Sequence, residues 1–121
     1  MNDKMDKVID NVIKKTKKGE LEWERIDKTY FNRNPFYRNH IYENDITVDG
    51  INNYMAEYNN GYLFFTKDSD FSSGELAIQP HAKADLTVIE MGMGPQIRAL
   101  EAIIREELDN PDDFIDSLLE E

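Results

Sequence analysis

Between residues 28 and 42 the chain reads KTYFNRNPFYRNHIY, where Tyr30, Phe31, Phe36, Tyr37 and Tyr42 are interleaved with Lys28, Arg33, Arg38 and His40 and no acid occurs. Three tasks suit such a stretch. Its rings can stack on the bases of a single-stranded nucleic acid, at roughly 1–3 kcal/mol per base, while its cations meet phosphates. Tyrosine and arginine also dominate the energetic centres of protein interfaces. Third, the rings can turn inward and close the core beneath a long loop. The whole chain carries a net charge of −11 against +3 for this stretch, so its field around phosphate is weak and a protein contact ranks ahead of nucleic acid.

Histidine is the other residue type able to do chemistry. His40 and His81 fall in segments read as loops, and a triad using Asp45 or Asp85 would have to assemble in space. Solvated loop histidines are the plainer reading. There is no cysteine, and no HExxH, GxSxG or glycine-rich phosphate loop. DSDFSSGE (68–75) puts Asp68, Asp70 and Ser72 at the first, third and fifth positions of a calcium loop. Ser73 then stands where glycine is needed, and Gln79 where a bidentate glutamate belongs. The expectation is a non-enzymatic protein without metal or cofactor.

Acids gather at the other end. Residues 101–121 hold Glu101, Glu106, Glu107, Asp109, Asp112, Asp113, Asp116, Glu120 and Glu121 against Arg105 alone. An ordinary helix face interleaves Lys or Arg with its acids. Solvated helix faces are the plainer reading, but the shortage of cations points to a partner with a basic surface, met through Glu101, Glu106 and Glu107, which have no capping duty.

These groups need a scaffold, and hydrophobic spacing supplies it. Met5, Val8, Ile9, Val12 and Ile13 make one stripe of an amphipathic helix over 3–18, capped by Asn2 or Asp3 and stopped by Gly19. LEWERI (21–26) alternates like a strand, and 28–50 has no sustained period, so it reads as a long excursion regaining extended form at 46–48. INNYMAEY (51–58) and YLFFTK (62–67) flank Asn59-Asn60-Gly61 as a hairpin. ELAIQ (75–79) and LTVIE (86–90) follow as strands, the latter with Leu86 and Val88 on one face. Pro95 opens a helix with Ile97, Leu100, Ile104 and Leu108 inward. Asn110 caps a last one carrying Phe114, Ile115, Leu118 and Leu119. The fold expected is α+β: an N-terminal amphipathic helix, an antiparallel sheet of four to five strands, and two C-terminal helices packed on one face.

A length of 121 residues fits one domain over 1–121. No run approaches a membrane span or signal peptide, and the lack of cysteine fits a reducing cytoplasm. TKKGELEW (16–23), closing a helix before a strand, resembles the opening of small bacterial and mobile-element proteins and brings no functional residues with it. The function expected is a regulatory, immunity or inhibitor-type interaction module. Its contacts would be Tyr30, Phe31, Arg33, Phe36, Tyr37, Arg38, His40, Glu101, Glu106 and Glu107, and its partner another protein, a homo-oligomer being compatible. The alternatives are single-stranded nucleic-acid binding through 28–42, and a small hydrolase or ligand-binding domain.

Overall fold

The first helix, α1 (Asp3–Lys17), forms where the apolar stripe predicts it and buries Ile9, Val12 and Thr16. It ends in a Schellman motif: Gly19, at a φ of 76°, donates to the Thr16 carbonyl and Glu20 to that of Lys15. A positive φ is why glycine stands there. The chain then turns into β1 (Trp23–Arg25), whose indole N–H donates to Thr16 Oγ1 at 3.0 Å and so fastens the strand to the helix it follows. The computed structural model describes residues 3–44, 46, 53–68, 73–109 and 111–120.

Four further strands, β2 (Tyr54–Tyr58), β3 (Gly61–Asp68), β4 (Ser73–Gln79) and β5 (Thr87–Gly92), complete an antiparallel sheet in the order β1-β2-β3-β4-β5. The β2–β3 turn is made by Asn59 and Asn60, at φ values of 49° and 66°. Asparagine tolerates this left-handed region, as a tight hairpin requires. Gly61, expected to help form the turn, instead opens β3, where a Cβ would meet the Pro80 and Gln79 carbonyl oxygens at 2.8 and 2.9 Å. Between β4 and β5 the register shifts at Leu76/Ala77, so that Leu76 opposes Glu90 and Ala77 opposes Val88. Val88, paired through Ala77 with Phe64, lies on the same face as Leu86, as the spacing predicts, though Val88 stays partly exposed, while Ile89 faces the opposite core.

The sheet is buried on both sides. One face, with Trp23, Tyr54, Leu63, Phe65 and Leu76, packs against α1 and against Ile97, Leu100 and Ile104 of α4 (Pro95–Asp109). The other, with Met55 and Phe64, is covered by two short helices, α2 (Lys28–Arg33) and α3 (Pro35–Glu43). Residues 28–43 are thus not an irregular excursion. Asp27 caps α2 by accepting from Tyr30 N, and Asn34 caps α3 by accepting from Phe36 N and Tyr37 N, with Pro35 in the first turn where its missing N–H costs nothing. A sheet covered twice also explains the unbroken run Leu63-Phe64-Phe65, which alternates sides without a polar partner.

The chain ends in α5 (Asp112–Leu119), which follows Pro111. The expected cap Asn110, the extended form at 47–48 and residues 69–72 of the calcium-like spacing lie outside the described residues.

Candidate protein-interaction surface

Most of the aromatic-basic stretch faces inward. Tyr37 is buried, stacks on Phe64 at a centroid distance of 4.9 Å and shares a 2.9 Å hydrogen bond with Thr66 Oγ1. Tyr30 is half-buried against Phe64, its hydroxyl accepting from Asn34 Nδ2. Phe31 stands edge-on to both Tyr37 and Tyr42, and Phe36 is half-buried. Arg38 donates to the Asn32 carbonyl. Of the residues expected to bind there, Arg33 alone is exposed, at the rim of an open hollow of about 320 Å³ beside Tyr30 and Tyr62. Tyr30, Phe31 and Tyr37 pack into the second core, while Tyr42 stays largely exposed.

Three polar side chains on this layer grip the sheet at a spacing of three residues: Asn34 Nδ2 donates to Gln79 Oε1, Tyr37 meets Thr66, and His40 Nε2 lies 2.6 Å from Glu75 Oε1. Glu75 and Thr66 are cross-strand neighbours. His40 is therefore a helix residue in a nearly closed ion pair, with side chains 10% and 7% exposed, and not a solvated loop histidine. Its other nitrogen faces Asn44 Nδ2 at 3.3 Å, so both are engaged. His81 does lie exposed between β4 and β5, where its Nδ1 accepts from Lys83 N. Among the described residues no buried side-chain polar atom lacks a partner.

The hydrogen bond to Glu75 raises the His40 pKa above its ordinary 6.5 against the opposing effect of burial, with further help from the Glu75 and Glu43 charges. A group whose pKa rises on folding stabilises the fold fully below its unfolded value, and that contribution fades as pH climbs through the folded value. Wild type should accordingly exceed Glu75→Gln in stability by about 1.5–3 kcal/mol at pH 5.5, the worth of a hydrogen bond to a charged group. The gap should narrow as pH rises to 8.5. Thermal midpoints of both proteins across that range check it, and a constant gap would mean that His40 does not titrate against Glu75.

The acidic end is arranged differently. Glu101 is drawn into an ion pair with Lys67 of β3 at 3.0 Å, and Asp109 into one with Arg25 of β1, so cations distant in sequence compensate part of α4. Glu106 and Glu107 remain exposed; partial burial and the nearby Glu106 and Glu22 charges hold the Glu107 carboxyl above its usual range. Beyond them, α5 shows Phe114, Ile115, Leu118 and Leu119 at 67, 47, 69 and 75% exposure. A helical period gathers these four on one arc, with Asp112, Asp116 and Glu120 on the other. The spacing predicts a helix with this apolar arc, and its four large side chains face solvent. The apolar spacing gave the arc but not its occupant.

α1 and the β2–β3 turn border an apolar groove of about 370 Å³, lined by Val8, Val12, Tyr58, Leu63 and Ile78. Lys15 borders it, its ammonium 5.2 Å from the Tyr58 ring centroid and 3.4 Å from Glu20 Oε2. Fold and surface together define a small α+β domain, its antiparallel sheet buried on both sides and its last helix holding an acidic, apolar-faced surface outward. No protein-family model, curated protein or solved structure matches this chain. Among the described residues, no helix is long and apolar enough to cross a membrane.

Proposed function

We propose that the chain is a protein-binding module of the regulatory, immunity or inhibitor type, and that α5 is its contact element. The observation that carries this reading is the exposure of all four large apolar side chains of α5 on a helix without a single cation. Scattered apolar residues on a surface are ordinary, but a contiguous apolar arc bounded by one sign of charge marks a binding surface. An amphipathic helix of this kind lays its apolar arc into a groove. The acids of α4 and α5 favour a groove rimmed with Lys or Arg and speed its approach. A cysteine-free chain of this charge fits the reducing cytoplasm of a bacterium.

Burying Phe114 and Leu118 in a partner contributes about 1.5–3 kcal/mol each. Phe114→Ala with Leu118→Ala should therefore reduce partner recovery more than about tenfold in pull-downs from lysate, since each 1.4 kcal/mol is a factor of ten. The thermal midpoint should stay near wild type, because both residues are exposed in the free protein. Equal recovery of the same partner by the two proteins would remove α5 from the contact.

A further inference from the structure

Two features of this surface complement each other. α5 offers an apolar arc backed by acids and is about 12 Å long at 1.5 Å per residue. The groove beside α1 offers apolar walls with Lys15 among its lining residues. A helical period sets the exposed Lys7, Lys14 and Lys18 on the stripe next to Asn11 and Lys15, which line the groove, and that stripe runs about 16 Å. Glu20 pairs with Lys15, and Asp10, one turn from Lys7 and Lys14, accepts from Gln96 Nε2 on the side of the stripe away from the groove. Like charge disfavours pairing of α5 with another α5, which would bring Asp112, Asp116 and Glu120 of two helices together.

We propose that the α1 groove is the receptor for α5 of a second copy of this chain, so that copies associate head to tail. Charge complementarity selects this occupant: α5, with three acids and no cation, meets α1, whose five lysines outnumber its three aspartates, and apolar side chains fill apolar walls. The contact is heterologous, because the surface used by one copy differs from that used by the next. It closes as a ring or a reciprocal pair, or continues as a filament, according to the angle between copies. The inference rests on the reading of α5 as a contact element and names its partner.

Sedimentation of the full chain over a range of concentrations at low and high salt tests this. The weight-average mass should rise at least twofold above the 14.2 kDa of one chain at low salt and fall back as salt screens the lysine–acid attraction. Two variants separate the surfaces. Phe114→Ala with Leu118→Ala disables the helix, Lys7→Glu with Lys14→Glu disables the lysine stripe beside the groove, and each should sediment as a monomer alone. Mixed in equal amounts they should form a one-to-one dimer, since the first keeps an intact groove and the second an intact helix. A wild type that stays monomeric throughout, or variants that fail to combine when mixed, would overturn the self-docking. If wild type is monomeric while the helix variant still loses a different protein in the pull-down, α5 remains a contact element and only its assignment to a second copy falls.

Discussion

Tyr37→Ala is expected to lower stability by about 3–5 kcal/mol, the usual loss for a large buried ring. Tyr37 lies at 1% exposure between Phe64, on which it stacks, and Phe31, which meets it edge-on, so truncation leaves a cavity at the centre of the second core. It also leaves Thr66 Oγ1 without the hydroxyl that meets it at 2.9 Å. Tyr37→Phe isolates that second effect and should cost about 1–3 kcal/mol, the desolvation of one unpaired group. Denaturant unfolding followed by the fluorescence of Trp23, the single tryptophan, reads the result from the opposite side of the sheet. A shift of the Trp23 transition shows that the α2–α3 layer and the α1–α4 layer unfold as one cooperative unit. An unchanged midpoint would mean that the layers are energetically separate.

Trp23→Ala should cost a similar amount, about 3–5 kcal/mol, through a different set of contacts. Trp23 is buried among the residues that join α1, α4 and the sheet, and its indole N–H is the bond that ties β1 to Thr16. Thr16 keeps its own bond to the Val12 carbonyl, so the helix end survives while the strand loses its anchor. Far-UV circular dichroism during thermal unfolding measures the loss where tryptophan fluorescence no longer can. Trp23→Phe should recover most of it, because packing outweighs one hydrogen bond; a Phe variant as unstable as the Ala variant would give the larger role to the indole N–H.

The parts of this fold legible in the sequence are those whose signals are local. The α1 stripe runs into Gly19, the Asn59-Asn60 turn joins two apolar runs, and Pro95 opens α4, each recognisable within a few residues. α2 and α3 escaped because helices of six and nine residues scarcely establish a period, and the Asn34-Pro35 pair that looks like a break is the cap and first turn of α3. His40 and Glu75 are 35 positions apart, and their pairing depends on how α3 settles across β4, which no spacing encodes. Local spacing offers Glu101 no cation, because Lys67 becomes its neighbour only when the chain folds β3 and α4 together. The apolar arc of α5 was legible as a pattern but not as an exposed surface, since an amphipathic helix has the same spacing whether its own sheet or another molecule covers it.

Because spatial order in the sheet repeats chain order, assembly can proceed by short steps. The β2–β3 hairpin closes over two residues and the β3–β4 and β4–β5 pairs each join neighbours in sequence, so little entropy is lost before each ladder rewards it. Strand β1 is the exception, for its pairing with β2 must close the segment that holds α2 and α3. The helices that cover the second face are thus also the tether that delays the first strand. The order of the chain makes β2–β5 the natural nucleus and leaves β1, with α1 behind it, to arrive last.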